Sequence, residues 1–454
     1  MRVAFRCDGD GRIGAGHVAR SVQVAAAFER AGHTVELVGR YGGLAADLVS
    51  AAGLTVRPPG RGPAGVDTDA DAAIVDSYEL DPAELELLAA ALPAAALWDH
   101  GAPPALPFLV HYHPSALPAP IGTAKLLEGP AYAPVSPRLL TARRGRGLER
   151  ALVTVGGSER GRALLAPAAA ALAELEGLEV EVAGGGPDIG LVERIARADV
   201  AVTAAGATAY ELACAGVPAV AVAIADNQRP VAVGLAAVGA VRGLDAVTAG
   251  GVDRLGAEVA TLAAPSERER LAAGGQATVD GHGAARIRDG LAALFAGSTL
   301  PPVLRYRPAA TSDADQLLAW RTEPAVRAAS RDTGTIERAN HVAWLEGVLA
   351  DPARDLWLIL HEGQPAGSVR FDRAGARAEI SISVGAGERG AGLGTRAIRE
   401  TTELYLSAWG DVEVVEAHVR PANAGSLRAF ERAGYRPAGE GGELAVLEAT
   451  RPLR

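Results

Sequence analysis

Short apolar runs, each followed by a segment of helical periodicity, recur along the chain up to about residue 290, and this rhythm points to an α/β architecture. Arg2–Arg6, Thr34–Val38, Ala73–Asp76 and Ala96–Trp98 read as buried strands of the parallel type, with helical patterns at Val18–Arg30 and Leu44–Ala52. A Pro-rich passage, Ala102–Pro120, interrupts the series, which restarts at Ala151–Val155, Val180–Ala183, Val200–Thr203 and Pro218–Ile224. Two such series predict two doubly wound, Rossmann-type sheets facing each other across a cleft, with domains over 1–140 and 148–295. At roughly 150 residues per domain, 454 residues leave room for a third. It is expected over 304–454, after a linker at Phe295–Pro302. Leu304–Arg307 and Leu356–Leu360 read there as strands, and Ala314–Arg321 and Ala339–Leu349 as helices. Gln364–Asp372 and Ala378–Val384 form a hairpin pattern around Arg373–Gly375. A glycine-rich loop, Gly385–Gly394, feeds the helix Thr395–Tyr405, so this domain is α+β.

Composition removes several function classes. A net charge of −10 argues against non-specific nucleic-acid binding, which needs basic surface. Ala inflates the 49% hydrophobic content, and runs such as Pro218–Ala225 stop short of the ~18 residues that span a bilayer. Charges at Arg2, Arg6 and Asp8 speak against a signal peptide. Two cysteines, Cys7 and Cys214, suit a reducing compartment, so a cytoplasmic enzyme is expected.

The densest chemistry lies in Arg6-x-Asp8-Gly9…Ile13-Gly14-x-Gly16-His17-x-x-Arg20. A strand ends, a glycine loop follows, and a helix starts near His17, whose dipole favours a neutral ring able to act as a base. Asp8, at the strand's carboxyl end, is the candidate to orient the ring or a water. A glycine-rich turn with an incidental His is the plainer alternative. Gly206-x-Thr208-x-x-Glu211 offers a helix N-terminus for a diphosphate with Glu211 on ribose hydroxyls, or else a capping box. Gly156-Gly157-Ser158 is a turn suited to phosphate, and Asp226-Asn227-Gln228 presents donors and acceptors for hydroxyls. His111 and His113 lack a third ligand at metal spacing, so no metal is expected. Near the C-terminus, Arg389-Gly390-Ala-Gly392-Leu-Gly394-Thr395 exposes successive N–H groups to a pyrophosphate, and Asn423…Phe430 continues the pattern on the next helix.

These motifs are recognisable. Residues 1 to about 290 resemble the UDP-2,4-diacetamido-2,4,6-trideoxy-β-L-altropyranose hydrolases of pseudaminic acid biosynthesis, a family with a GT-B-like fold. The matching elements are the Asp8–Arg20 motif, Val75-Asp76-Ser77-Tyr78, Gly129-Pro130-x-Tyr132, Gly156-Gly157-Ser158, Gly206-x-Thr208…Glu211 and Asn227-Gln228. The resemblance implies His17 as the base that activates water at the sugar C1, aided by Asp8. It also implies a UDP-sugar site drawn from Arg6, Gly14, Gly16, Tyr78, Gly157, Ser158, Gly206, Thr208, Glu211, Asn227 and Gln228. Asp99-His100 stands where that family shows Asp-Asp, and Ser158-Glu159 where it prefers Ser-Asp.

Residues 304–454 resemble GNAT N-acetyltransferases, in particular those acting on UDP-4-amino sugars. Acetyl-CoA is then the implied cosubstrate, held by Val384, Arg389, Gly390, Gly392, Gly394, Thr395, Asn423 and Phe430. Glu379 is the implied base, through a water. Phe430 stands where these enzymes often carry a Tyr acid. A bifunctional hydrolase–acetyltransferase is therefore expected. An inverting GT-B glycosyltransferase fused to another N-acetyltransferase, or a nucleotide-sugar-binding module regulating the acetyltransferase, are the alternatives.

Overall fold

Among the described residues, the 19 strands of the computed structural model fall into three sheets. It describes the chain except residues 11–14, 68, 78, 100, 115–121, 143–146, 156–158, 184–189, 249–250, 331–333, 442 and 452–454. The chain divides into two compact units, Met1–Pro301 and Pro302–Arg454.

The first unit holds two parallel sheets. Strands β1 (Arg2–Cys7), β2 (Thr34–Val38), β3 (Thr55–Arg57), β4 (Ala72–Asp76), β5 (Ala94–Leu97), β6 (Phe108–His111) and β7 (Lys125–Glu128) are ordered β3-β2-β1-β4-β5-β6-β7. The order reverses between β1 and β4, where a doubly wound sheet opens a crevice at its carboxyl edge. The second sheet contains β8 (Arg150–Thr154), β9 (Glu179–Ala183), β10 (Val200–Ala204), β11 (Ala219–Ala223) and β12 (Arg242–Asp245), ordered β12-β11-β10-β8-β9. Its reversal lies between β8 and β10. Small and β-branched residues fill both cores, as in the fully buried run Ala219–Ala223. The last helix of the unit, Gly283–Phe295, packs against the Gly16–Arg30 helix of the first sheet, and the Arg288 Nη1 donates to the Ala27 carbonyl at 3.3 Å. Gly283 lets this helix start close against the segment after β7, because a Cβ there would lie 1.9 Å from the Ala133 carbonyl oxygen.

The second unit is one sheet of β13 (Leu304–Pro308), β14 (Arg354–His361), β15 (Gln364–Ala374), β16 (Arg377–Val384), β17 (Val414–Val419), β18 (Arg436–Gly441) and β19 (Leu444–Thr450). Their order is β13-β14-β15-β16-β17-β19-β18, antiparallel except between β16 and β17. One face packs on Ala314–Thr322 and Arg338–Ala350 through Leu317, Trp320, Leu345, Leu356 and Leu358. The helix Leu393–Ala408 covers the other, where the Tyr405 ring stacks on Phe371 at 4.0 Å. Expected element boundaries shift by one to three residues. The hairpin runs on to Ala374, because Gly375 at φ +59° makes the turn.

Candidate active sites

The first site assembles at the switch point of the first sheet. His17 follows β1 in the first turn of the Gly16–Arg30 helix, and its Nδ1 is hydrogen-bonded to Asp76 Oδ1. Asp76 ends β4 in register with Cys7 of β1, so parallel pairing brings the carboxylate to the helix start. Nδ1 has two neighbours, the Asp76 carboxylate, which only accepts, and Arg20 Nη2 at 3.1 Å, which only donates; the closer contact to the carboxylate favours the hydrogen on Nδ1 and the lone pair on Nε2. Asp8, the expected candidate to orient the ring or a water, makes its own bonds elsewhere. Asp8 Oδ2 accepts from Arg6 Nη1 at 2.6 Å and its Oδ1 from the Arg40 backbone N–H at 2.8 Å. Arg6, expected at the substrate, also turns inward, with its Nε on the Ala64 carbonyl at 2.8 Å. Both residues brace the strand ends behind the site.

Asp76 is wholly buried and serves several donors. The Arg20 guanidinium grips it two-pronged, Nε to Oδ2 at 2.6 Å and Nη2 to Oδ1 at 2.5 Å, and Ser21 Oγ adds a bond at 3.2 Å. Burial alone pushes the Asp76 carboxyl up, but Arg20 and His17 outweigh it and hold the group below the usual carboxylate range. Arg20 Nη1 reaches on to Asp99 and to the Tyr112 hydroxyl, the latter at 3.0 Å. His111 and His113 are buried. His111 packs on the Trp98 ring at 5.1 Å, and His113 Nδ1 meets the Tyr210 hydroxyl at 2.8 Å. Among the described residues no group of three or more His, Cys, Asp or Glu is placed to hold a metal ion.

On the second sheet, Gly206 caps the helix Ala207–Ala215, so Thr208 is its second residue rather than its cap. The capping box the spacing allowed is therefore absent, and Glu211 falls in the body of the helix. Burial pushes the Glu211 carboxyl up to about 7, against a smaller lowering by the Thr208 side chain. Gln228 Oε1 accepts the Ile224 N–H at 3.0 Å and closes the turn after β11, while Asn227 is exposed. Gly16 is exposed at its helix start. Gly14, Tyr78, Gly157 and Ser158 lie outside the described residues. Sequence reading quoted Asp76 and Arg20 without giving them a role, and it passed over Tyr210. A lone carboxylate closing a buried apolar strand was the signal for Asp76.

The second site lies where β16 and β17 separate. They pair in parallel only over Arg377–Glu379 and Val414–Glu416, although β16 runs to Val384 and β17 to Val419. Beyond Val384, Gly390 at φ +89° and Gly392 at φ +82° turn the loop into the helix Leu393–Ala408. The first bond of that helix runs from the Arg396 N–H to the Gly392 carbonyl, so the N–H groups of Leu393, Gly394 and Thr395 have no intrahelical acceptor. Arg389 folds back onto the Val384 carbonyl at 2.8 Å and pairs with Glu323, fixing the loop. Asn423 caps the helix Ala424–Arg432, its Oδ1 accepting the Ser426 N–H at 3.1 Å. Phe430, on that helix, is buried edge-on against Tyr435 at 5.0 Å. Tyr435 hydrogen-bonds Thr402 at 2.7 Å, and burial raises its hydroxyl pKa. Glu379 stands at the closed end of the β16–β17 pair and lines a cavity of about 350 Å3 with Arg354, Asp372, Arg377 and Glu416.

A model of the acetyltransferase (GNAT) domain family matches residues 304–436. Solved structures similar to the chain include the aminoglycoside acetyltransferase AAC(6')-Ib in complex with coenzyme A, 20% identical over 33% of this chain and 95% of that one, TM-score 0.30. Others are the spermidine N-acetyltransferase from Vibrio cholerae with CoA and spermine, at 13% identity, 33% and 95% coverage and TM-score 0.30, and Mycobacterium smegmatis RimJ with CoA-disulfide, at 20%, 33%, 82% and 0.29. No protein of curated function matches the chain. The C-terminal unit thus carries a GNAT acetyltransferase domain. Among the described residues no helix is long and apolar enough to cross a membrane.

Proposed function

We propose that the chain is a bifunctional, cytoplasmic sugar-nucleotide enzyme. Its C-terminal unit transfers the acetyl group of acetyl-CoA to the amine of a UDP-4-amino sugar. Its N-terminal unit hydrolyses the resulting UDP-diacetamido-trideoxyhexose to free sugar and UDP. The observation that carries the hydrolase half is the His17–Asp76 pair at the switch point of the first sheet. With its Nδ1–H given to Asp76, His17 takes a proton from water at Nε2 while the water oxygen attacks the sugar C1. The C1–O bond breaks and UDP leaves with the electron pair. The helix Ala207–Ala215, opened by Gly206, supports a diphosphate site, with Thr208 and Glu211 toward the nucleotide. On this reading the two sheets of the first unit are the halves of a GT-B-like pair, 1–140 and 148–295. Gly14, Gly16, Tyr78, Gly157, Ser158 and Asn227 complete its substrate site.

In the acetyltransferase half, the family match supports acetyl-CoA as donor. The amine attacks the thioester carbonyl, a C–N bond forms, and the C–S bond breaks to release the CoA thiolate. The loop Arg389–Thr395 binds the pyrophosphate through its N–H groups, and Val384 lies beside the pantetheine arm. Glu379 accepts the amine proton through water. His418 lies on the stretch of β17 that has parted from β16 and is half-buried, so it is better placed than the sealed Tyr435 to protonate the thiolate.

The test uses the full chain. Free UDP should appear from the UDP-diacetamido sugar with no acceptor added, and free CoA thiol from acetyl-CoA plus the UDP-4-amino sugar. His17→Ala should lower UDP release by about 10²–10⁴-fold, the usual worth of a positioned base. UDP release that requires an added acceptor would instead identify a glycosyltransferase.

A further inference from the structure

The reading of the first unit as a hydrolase leaves unexplained why a run of polar side chains is sealed behind the His17–Asp76 pair. Arg20 is 6% exposed and bonds Asp76 through two nitrogens and Asp99 through the third. Beyond Asp99, His113 Nε2 lies 4.0 Å from its Oδ2, and His113 Nδ1 lies 2.8 Å from the Tyr210 hydroxyl. Tyr210 is 1% exposed and belongs to the helix after β10, one residue before Glu211. The run therefore begins at the helix proposed to seat the nucleotide and ends at the proposed base.

Donor and acceptor chemistry fixes the direction of the hydrogen-bonded links: Asp76 and Asp99 only accept, and Arg20 only donates. At 4.0 Å the Asp99 carboxylate is beyond hydrogen-bond distance of His113 Nε2, but its charge favours the ring hydrogen on that nitrogen, which leaves Nδ1 to accept from the Tyr210 hydroxyl. Burial favours the neutral ring this requires, pulling the His113 pKa down to about 4. Without the Tyr210 hydroxyl, Nδ1 would be buried unpaired, and the hydrogen could move to it from Nε2. Asp99 would then face a ring lone pair instead of a ring hydrogen, and its contact with Arg20 Nη1 would readjust.

We propose that Tyr210 is a positioning residue for His17: by fixing the His113 tautomer it sets Asp99 and Arg20, and through them the carboxylate that orients the base. The nucleotide helix and the base then act as one assembly. This rests on the hydrolase reading above for its effect on turnover, but not for its effect on the His17 ring.

The decisive variant is Tyr210→Phe, which keeps the ring contact with Tyr112 at 5.3 Å and deletes only the hydroxyl. Asp99→Asn, which preserves shape and removes charge, is the second. Imidazole resonances of the full-length protein, labelled at nitrogen in its nine histidines and assigned for His17 with His17→Ala, report the ring tautomer without substrate. Both variants should broaden or shift the His17 Nδ1–H signal. Turnover of UDP release should fall about tenfold, a typical loss for a supporting partner, with KM for the UDP-sugar within about twofold and an altered pH profile. Unchanged His17 resonances in Tyr210→Phe overturn the proposal, whatever the activity and whatever Asp99→Asn shows. Shifted resonances in a protein that releases no UDP uphold the coupling and reject the hydrolase reading instead.

Discussion

Glu211 ties the stability of the first unit to pH. Its carboxyl is pushed up from 4.5 to about 7 by burial. Below the unfolded value both states hold the proton. Between the two values the unfolded chain releases it first, so the folded state loses stability as pH rises, and the loss is complete above the folded value. The shift corresponds to about 3 kcal/mol. Glu211→Gln should be more thermostable than the parent, with the gap in Tm opening from about pH 5 to about pH 8. A flat gap would mean the carboxyl is solvated. This dependence could not be read from the sequence, where Thr208-x-x-Glu211 fits a surface capping box equally well. Gly206 takes the cap two residues earlier, which moves Glu211 off the exposed helix start. Asp76 teaches the same lesson. Its bond to His17 joins residues 59 apart in the chain, so Asp8 looked the better candidate until strand register placed Asp76 opposite Cys7.

At the scale of elements, the loop between β16 and the helix Leu393–Ala408 was legible because backbone chemistry dictates its residue types. Gly392 adopts φ +82°, where a side chain costs about 1–2 kcal/mol, yet a Cβ there meets no atom within 4 Å. The protein has room for the substitution, so its main effect falls on whatever approaches the loop from outside. Gly392→Val should weaken acetyl-CoA binding by about tenfold or more, measured by calorimetry, while Tm falls only modestly. Undiminished binding would remove the loop from the pyrophosphate site. Asn423 and Gln228 were less legible. Both have the side chains of ligand-binding residues, but Asn423 caps a helix and Gln228 closes a turn, uses of the same hydrogen-bonding groups that spacing cannot tell apart.

For the whole molecule, the alternating rhythm of apolar runs and helical segments was enough to indicate parallel sheets in the first unit and antiparallel pairing in the second, since each element buries a face of fixed period, but it did not reveal the parallel pair of β16 and β17. If the two units serve one sequence of reactions, acetylation should come first. A neutral amide enters a pocket with its hydrogen bonds met, whereas an ammonium must be desolvated at a cost of several kcal/mol unless paired. With acetyl-CoA omitted, the full chain should release UDP from the diacetamido sugar about 10²-fold faster than from the 4-amino sugar. Equal rates would point to two unrelated activities on one chain. The parting of β16 from β17 after Glu379 carries a further consequence. A strand edge is a template, and here it is left blank within a sheet rather than at its border. A ligand bearing its own amides can write the missing rungs, becoming for as long as it is bound a piece of secondary structure. Occupancy of this seam should therefore be visible as slowed amide exchange along Ile380–Val384.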